Sequence, residues 1–399
     1  MFSRLRLLTA GESHGPKLTA ILEGAPAGFA INTKTINADL ARRQQGFGRG
    51  GRMKIERDEV HISSGVAQGL TTGAPIAMEI TNADYKSWQD KAIEPMTTPR
   101  PGHADLTGAL KYGHRDLRLS LERASARETT MRVCAGSLCK QILEPFGLTI
   151  GGYVTQIGPI KIKLNELSDR ADFVKRFDIA RANEFAIPDE SFEDSVREEI
   201  HRCMKDKDTL GGIFEIVALG VPVGLGTYAH WDRRLDGQIA MAMLSIPAMK
   251  GMELGHAFRN AEQRGTKVHD EIFIDKDGSL FRKTNRGAGL EGGISNGMPI
   301  VARIAMKPIS TTLNPLDSVD MAKGKASKTT YERSDFCAVP RAVPIGEAMM
   351  AYVLANALLE KLGGDSYDEM VPRFEMLRQN RLSDVHLTNQ PWRFQYEQI

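Results

Sequence analysis

Cysteine and long apolar stretches are both scarce in this sequence of 399 residues. None of the four cysteines has the C-x-x-C spacing of zinc and redox sites, and a chain of this length needs no disulfides to stabilise its core. No run reaches the roughly 18 apolar residues of a membrane-spanning helix, and Arg4 and Arg6 interrupt the apolar start of the chain. We therefore expect reduced thiols, no membrane segment and a cytoplasmic protein.

Charge of one sign is also scarce, because 52 Lys and Arg residues are balanced by 50 Asp and Glu, for a net charge of +2. This balance argues against a protein dedicated to nucleic acids or membrane surfaces, which present dense negative charge. The nine histidines show no H-x-x-x-H or H-E-x-x-H spacing, so we expect no metal site. Any anionic ligand must be bound by a local cluster of cations.

Glycine, in contrast, is abundant, with 38 residues. Because Gly is costly inside helices and strands, this excess indicates tight turns or backbone that lies close to a ligand. Apolar and polar residues alternate, as they do in strands, over residues 6–10, 18–22, 59–63, 76–80, 213–218, 271–274 and 299–305. Helical periodicity is clearest over residues 33–44, 119–143, 190–205 and 345–362.

These predicted strands and helices occur in blocks rather than in regular alternation. Such an order favours an α+β fold over a doubly wound sheet. No low-complexity linker divides the chain. We therefore predict a single large domain over residues 1–364, followed by a polar extension, residues 365–399, that is peripheral or bridges subunits.

Residues 42–57 place six basic residues among four glycines. Arg offers a rigid fork of donors to phosphate or carboxylate, and Gly lets a loop wrap closely round an anion. A polyanionic ligand, a solvated basic loop and an RNA contact of the Arg-Gly-Gly type all fit this composition. The single short copy, without interleaved aromatic residues, supports the RNA interpretation least.

A second cluster runs from the turn Arg100-Pro-Gly-His-Ala-Asp into a helical pattern at residues 121–132. His103 follows Pro-Gly, and turns are where binding and catalytic residues are often found. Ala124 and Ser125 leave room for a flat ligand, with Arg123 and Arg127 as donors to phosphate or ring oxygens. The same small residues would also suit a contact between two helices.

Isolated polar residues elsewhere are less specific. His14 lies between glycines on a turn, and from the residue alone an ordinary turn histidine with satisfied hydrogen bonds is the better interpretation. Gly292, Lys307 and Arg333 lie at predicted strand ends or loops and could hold a phosphate. No G-x-G-x-x-G motif follows a strand and opens a helix, and the P-loop signature is absent, which argues against nicotinamide dehydrogenases and P-loop ATPases.

As a set, several segments resemble the signatures of the chorismate synthase family in content, order and spacing: residues 11–26, 42–53, 100–105, 122–138, 292–297 and 333–347. Several independent motifs over most of the chain are more specific than any one of them. The resemblance implies a chorismate synthase-like α+β fold, with helices packed between antiparallel β-sheets, and a homotetramer.

The resemblance also implies a lyase that converts 5-enolpyruvylshikimate-3-phosphate into chorismate and phosphate, the last step of the shikimate pathway of aromatic amino acid biosynthesis. This anti-1,4-elimination requires reduced FMN without net redox change. The C6 hydrogen is too weakly acidic for a His or Asp base near neutral pH, which makes the flavin requirement intelligible. NADPH would enter only as the indirect source of reducing equivalents, through an external flavin reductase.

By motif position, the resemblance assigns three groups of site residues. The catalytic residues are His14, which would protonate the leaving phosphate, His103, which would protonate reduced FMN, and Asp335, which would accept a proton from flavin N5. The substrate-binding residues are Arg43, Arg49, Arg52, Arg127 and Arg341. The cofactor-binding residues are Arg123, Ala124, Ser125, Ala248, Gly292, Lys307, Ser310, Thr311 and Arg333.

Two alternative functions predict different behaviour. Another FMN-dependent oxidoreductase would oxidise its flavin with each substrate turned over, whereas the synthase would return it reduced. A protein that binds RNA or another polyanion through the Arg-Gly loop would show salt-dependent binding to nucleic acid. This second alternative leaves His14, His103 and the small-residue helix unexplained, and we expect no nucleic-acid partner.

Overall fold

The computed structural model describes residues 4–47, 57–165, 169–330 and 335–392. The strands in these ranges are β1 (Arg6–Ala10), β2 (Lys17–Glu23), β3 (His61–Ser64), β4 (Val66–Ala67), β5 (Leu70–Thr71), β6 (Ile76–Thr81), β7 (Thr149–Ile157), β8 (Ile160–Lys161), β9 (Gly212–Leu219), β10 (Met249–Leu254), β11 (Ile272–Ile274), β12 (Leu280–Arg282), β13 (Leu290–Glu291), β14 (Ile294–Ser295), β15 (Ile300–Met306), β16 (Asp317–Asp320) and β17 (Lys325–Lys328). The α-helices are α1 (Thr33–Gln44), α2 (Tyr85–Trp88), α3 (Asp105–Tyr112), α4 (Arg118–Ala124), α5 (Thr129–Leu143), α6 (Arg170–Ala182), α7 (Glu193–Lys205), α8 (Leu235–Leu244), α9 (Ala257–Ala261), α10 (Val339–Leu362) and α11 (Tyr367–Glu375).

Two antiparallel sheets contain the longer strands. The first has the order β1-β2-β6-β3 and the second the order β10-β15-β9-β7-β8. In β2 the alternating residues Leu18, Ala20 and Leu22 are buried, while their neighbours are more exposed. One face of each such strand therefore faces the core, as the period-2 pattern predicts.

Helices α5 and α10 pack against each other between the two sheets. α5 contacts β1, β2 and β6, α10 contacts β7 and β9, and α1 packs against both helices. The helices approach closely where Gly136 of α5 faces Ala348 of α10. The prediction of an α+β fold with helices between antiparallel sheets is confirmed.

Replacing Gly136 by alanine should destabilise the protein by about 1 to 3 kcal/mol, the usual cost of overpacking a core. A Cβ at this position would lie 2.3 Å from the Ala348 Cβ and 2.4 Å from the Ala348 carbonyl oxygen. Gly237→Ala in α8 is the matched control, because the nearest atom to its Cβ would be 3.9 Å away. Thermal unfolding should show a lower midpoint for Gly136→Ala alone, and equal midpoints would contradict the close helix packing.

Two of the predicted helices differ clearly from the structure. The helix predicted over residues 119–143 is interrupted at Ser125, whose backbone is extended (ψ 141°) and whose side chain accepts a hydrogen bond from the Arg127 N–H. A Ser that caps a new helical turn gives the chain an alternative to continuing the first helix.

The second difference concerns α10, which begins at Val339 rather than residue 345. Its length and composition would allow it to cross a membrane, contrary to the sequence-based expectation that no segment qualifies, but most of it is buried inside the protein. Pro340 lies in its first turn, where a missing N–H costs nothing. The apolar character of α10 is therefore that of a core helix.

Leu5, near the start of the described residues, and the beginning of the polar extension both pack against the main body. The Leu5 N–H donates to Asn356 Oδ1 (2.8 Å), and the Tyr352 hydroxyl donates to the Leu5 carbonyl (2.9 Å). In the polar extension, Tyr367 packs edge-on against Phe29, with ring centroids 5.1 Å apart. The first strand and the last long helix are thus direct neighbours.

Candidate active site

The turn between β1 and β2 carries His14 and lies against the break between α4 and α5. The Ser13 N–H donates to the Glu122 carbonyl (3.2 Å), and the Ser125 hydroxyl donates to that of Ser13 (3.2 Å). The break at Ser125 thus brings Ala124 and Ser125 next to the His14 turn. Arg123 joins the same region by donating to the carbonyl oxygens of Thr9 and Gly11.

Glu122 holds His14 through both carboxylate oxygens. Its Oε2 accepts from the His14 backbone N–H and its Oε1 contacts the ring Nδ1, each at 2.7 Å. Burial alone would raise the pKa of Glu122, but hydrogen bonds from the His14 side chain and backbone outweigh it and lower that pKa. The ring of Trp88 covers the imidazole, with centroids 4.7 Å apart.

Arg127 links the His14 turn to a buried carboxylate. Its Nη1 donates to Asp58 Oδ2 (2.7 Å), and its Nε and Nη2 donate to Asn82 Oδ1 (3.0 and 2.8 Å). The Asn82 amide in turn donates to the Gly15 carbonyl (2.8 Å). Arg127 is therefore buried and held in position by groups from two distant parts of the sequence.

Arg43 lies beside this pair at the C-terminal end of α1. Its guanidinium donates to Thr129 Oγ1 and to the Ala126 carbonyl, and its Nη1 is 4.0 Å from Asp58 Oδ2. Burial and the nearby Arg341 lower the pKa of Arg43 to about 9, so it still carries its charge at neutral pH. The guanidiniums of Arg43, Arg127 and Arg341 thus outnumber the carboxylates beside them. This excess of positive charge favours an anionic ligand.

Arg341, in the first turn of α10, connects this cluster to Asp335. Its Nη1 forms an ion pair with Asp335, and its Nε donates to the Arg43 carbonyl (3.0 Å). The carboxylate assigned to proton transfer is therefore next to a guanidinium assigned to the substrate. Arg49, Arg52 and Arg333 lie outside the described residues.

His103 is held by a separate ion triad. Its Nδ1 is 2.6 Å from Asp105 Oδ1, and Arg100 donates Nε to Asp105 Oδ2 (2.8 Å) and Nη2 to Oδ1 (3.0 Å). Burial opposes the charge of Asp105, yet the hydrogen bonds from His103 and Arg100 keep its pKa well below the usual range. Because this carboxylate can only accept, Nδ1 carries the proton that points at Asp105.

The same triad reaches the segment that follows β15. Arg100 Nη1 donates to Thr311 Oγ1 (3.0 Å), and the Ser310 hydroxyl donates to the Gly102 carbonyl (2.8 Å). Lys307 Nζ donates to Ser310 Oγ (2.9 Å). Burial, with a contribution from Lys250, lowers the pKa of Lys307, as expected for a desolvated cation near a second cation.

Ala248 and Gly292 occupy two further turns. The Lys307 N–H donates to the Ala248 carbonyl (3.0 Å), and Ala248 has a φ of +71°, which is uncommon for a residue other than glycine and occurs often at ligand sites. Gly292 lies in the turn between β13 and β14 beside Tyr228. The hydrogen bonds described above for His14 and His103 do not include the Gly292 turn.

The structure therefore brings most of the predicted residues into two neighbouring groups. His14, Arg43, Arg123, Ala124, Ser125, Arg127, Asp335 and Arg341 are linked around the α4–α5 break, and His103, Ala248, Lys307, Ser310 and Thr311 are linked around the Arg100 turn. Helix α3, which follows His103, packs against α4. Within the part of the chain that the structure describes, no three His, Cys, Asp or Glu side chains are arranged to hold a metal ion.

Five residues of this region were not among the predicted site residues. Arg100 and Asp105 flank His103 and Glu122 precedes Arg123, so sequence proximity was a signal that could have found them. Asp58 and Asn82 are far from Arg127 in sequence, and one sequence offers no pattern that pairs them.

Comparison with known proteins places this geometry in a family. The family model described as chorismate synthase matches residues 5–359. Chorismate synthases of Desulforudis audaxviator and Aquifex aeolicus are each 50% identical to the chain, covering 94% and 93% of it and 99% and 96% of their own lengths. A structure described as the crystal structure of chorismate synthase superposes with a TM-score of 0.77 at 43% identity, covering 93% of this chain and 96% of its own. The chain therefore belongs to the chorismate synthase family of lyases.

Proposed function

We propose that the protein catalyses the 1,4-elimination of phosphate from 5-enolpyruvylshikimate-3-phosphate to give chorismate, with reduced FMN as the cofactor. The observation that carries this proposal is the cluster of Arg43, Arg127 and Arg341, together with two histidines of the same region that are each held by a carboxylate. Cations suit the anionic groups of the substrate, and histidines suit proton transfer near neutral pH. Family membership favours this activity over an oxidoreductase or an RNA-binding protein.

The proposed substrate carries two carboxylates and a phosphate. The protein as a whole has a net charge of only +2, so local cations must offset these anions. Arg43, Arg127 and Arg341 supply three such charges, and the basic loop would add Arg49 and Arg52. Because the described guanidiniums are already held by protein groups, little conformational entropy is lost when they bind the substrate.

The residues near His103 fit an FMN ligand. Gly102 has a φ of +75°. A Cβ there would lie 3.4 Å from Ser310 Oγ and 3.8 Å from Lys307 Nζ, so glycine leaves the space beside these two side chains open to a ligand. Lys307, Ser310 and Thr311 would hold the cofactor together with Ala248, and Arg123, Ala124, Ser125, Gly292 and Arg333 are proposed to join them. When bound, reduced FMN supplies transient electron donation to a reaction that has no net redox change.

The protein's own part in the chemistry is to orient the substrate and to move protons. His14 would donate a proton to the leaving phosphate, His103 would keep the flavin in its protonated reduced form, and Asp335 would accept a proton beside Arg341. Each histidine presents Nδ1 to a carboxylate, so Nε2 is the nitrogen left for proton transfer.

Anaerobic phosphate release tests the proposed reaction. The protein is mixed with the substrate and chemically reduced FMN, and the flavin spectrum is followed in the same cuvette. Phosphate and chorismate should appear together over many turnovers without stoichiometric flavin oxidation. Flavin oxidised in step with product would indicate an oxidoreductase instead, and no phosphate release from folded, flavin-binding protein would reject the assigned reaction.

Replacing Arg43 by alanine should weaken substrate binding by about 10- to 100-fold, since a hydrogen bond to a charged group contributes about 1.5 to 3 kcal/mol. Arg202→Ala, an exposed arginine on α7, serves as the control. Calorimetric titration of the substrate into each variant gives the dissociation constant. Unchanged affinity in Arg43→Ala would remove Arg43 from the substrate site, and the same test applies to Arg49→Ala.

Four further properties belong to the same proposal. We infer a cytoplasmic homotetramer that has no nucleic-acid or membrane partner. An external flavin reductase would supply reduced FMN, with NADPH as the indirect source of electrons. Residues 1–364 would form the catalytic domain. Residues 365–399 would remain peripheral or bridge subunits, and the packing of Tyr367 on Phe29 is compatible with a fixed start to that extension.

A further inference from the structure

The contact between Glu122 and His14 differs from the other histidine–carboxylate pair of the site. The two oxygens of Glu122 are both occupied by one residue, since Oε2 accepts the His14 backbone N–H and Oε1 meets the ring Nδ1, each at 2.7 Å. Asp105 instead shares its oxygens between His103 and the guanidinium of Arg100. The negative charge of Asp105 is therefore already paired, whereas that of Glu122 is directed at His14.

Other charged groups of the described residues reach His14 less directly than Glu122 does. From α2, Trp88 covers the ring, and its Nε1 donates to Asp84 at 3.1 Å. Arg118 of α4 interacts with Glu122 electrostatically, and Arg127 reaches the turn only through Asn82. Glu12 belongs to the turn itself, where its carbonyl accepts from Asn82. Glu122 is the carboxylate in direct contact with the His14 imidazole.

Hydrogen-bond chemistry then fixes the tautomer. An ionised carboxylate only accepts, so the neutral imidazole of His14 must carry its proton on Nδ1. The nitrogen that exchanges a proton with a ligand is consequently Nε2.

We propose that Glu122 is a positioning residue for the elimination. It orients His14 and fixes its neutral form as the Nδ1–H tautomer, so that the proton given to the leaving phosphate comes from Nε2. Only the proton transfer to the leaving phosphate rests on the proposed function. The orientation and the tautomer are properties of the protein without ligands.

Glu122→Gln provides a sharp test of the tautomer. The amide has one acceptor, and the His14 backbone N–H can only donate, so the amide oxygen should turn toward the backbone and its NH₂ toward Nδ1. The imidazole can respond by moving its proton to Nε2. In histidine-labelled, ligand-free protein, the ¹⁵N shifts of neutral His14 should therefore change from the Nδ1–H to the Nε2–H pattern, with the signals assigned by their loss in His14→Ala.

Glu128→Gln is the matched control. Glu128 lies six residues further on with similar burial, but it accepts from Thr9 and Arg132 rather than from a histidine. Its replacement should leave the His14 signals unchanged. An unaltered Nδ1–H pattern in folded Glu122→Gln would overturn the proposal.

Kinetics provide a second, separate readout. In Glu122→Gln, turnover near neutral pH should fall at least about 10-fold, because the proton donor is no longer held in one tautomer and orientation. Glu128→Gln should keep wild-type turnover. If wild type releases phosphate and Glu122→Gln turns over equally fast, Glu122 has no such role. If wild type releases no phosphate, the proposed function fails. The tautomer test on ligand-free protein still shows whether Glu122 fixes the tautomer of His14.

Discussion

Replacing His103 by alanine should lower the turnover number by about 10²- to 10⁴-fold, the usual contribution of a positioned acid or base. The dissociation constant of FMN should change much less, because the neighbouring contacts do not depend on the imidazole. Ser310 is held by the Gly102 carbonyl and Thr311 by Arg100, and Arg100 keeps its ion pair with Asp105. Single-turnover phosphate release at saturating substrate and a fluorescence titration of FMN measure the two quantities separately.

His114→Ala is a suitable control for this experiment. His114 follows α3, stacks on Tyr112 and contacts the Ser120 hydroxyl, so it is a histidine of the same region with no link to Asp105. It should retain wild-type turnover. Full activity of His103→Ala at neutral pH would remove His103 from the mechanism, and equal losses in both variants would indicate a structural effect on α3.

Replacing Glu347 by glutamine should destabilise the protein by about 3 to 5 kcal/mol, because it leaves buried cations without their counter-charge. Glu347 is fully buried in α10 and accepts from both Nη atoms of Arg42 (2.8 Å each) and from Lys140 Nζ (2.7 Å). After the change, Asp39 alone would face these two cations. For a chain of this length the thermal midpoint should fall by roughly 4 to 6 °C.

The same substitution has a predictable pH dependence. Burial would raise the pKa of Glu347, but the charges of Arg42 and Lys140 outweigh it and place that pKa far below its usual range. A carboxyl whose pKa is lower in the folded state stabilises the protein above its unfolded pKa, about 4.3, and loses that contribution as the pH falls below it. The difference in thermal midpoint between wild type and Glu347→Gln should therefore shrink in acid.

Glu360→Gln separates this effect from a general change in α10. Glu360 lies on the same helix, but it is about half exposed and pairs with Arg233 at the surface. Such pairs contribute about 0 to 1 kcal/mol. Its replacement should shift the thermal midpoint little at any pH, and a loss equal to that of Glu347→Gln would contradict the importance of the buried cluster.

Local patterns predicted much of the fold. The alternation of residues 6–10 matches β1, and the periodicity of residues 33–44 matches α1, whose Asn32 cap accepts from the Lys34 N–H. The long strand β7 was missed because residues 149–157 are buried almost throughout and show no alternation. The order of strands in the sheets could not be predicted from local patterns either, since the pairing of β9 with β15 joins residues that are more than 80 positions apart.

The candidate site was likewise predicted only in part from the sequence. His14 and His103 could be named because glycine and proline mark their turns, yet the residue alone favoured an ordinary turn histidine for His14. What distinguishes it is Glu122, a contact over 108 positions that local sequence does not encode. The arginines were recognisable as donors, but the way Asp58 fixes Arg127 depends on three-dimensional packing.

The neighbouring positions of the chain ends affect how the protein is made. The Leu5 backbone bonds to Tyr352 and Asn356, and the Arg43 carbonyl bonds to Arg341. At about 5 to 20 residues per second, a ribosome needs roughly 15 to 70 s to add the residues that separate these partners. During that interval α5, which packs on the first sheet, has no α10 to cover its other side, so apolar side chains of α5 stay open to other chains. We therefore expect the nascent polypeptide to depend on chaperones until translation is nearly complete.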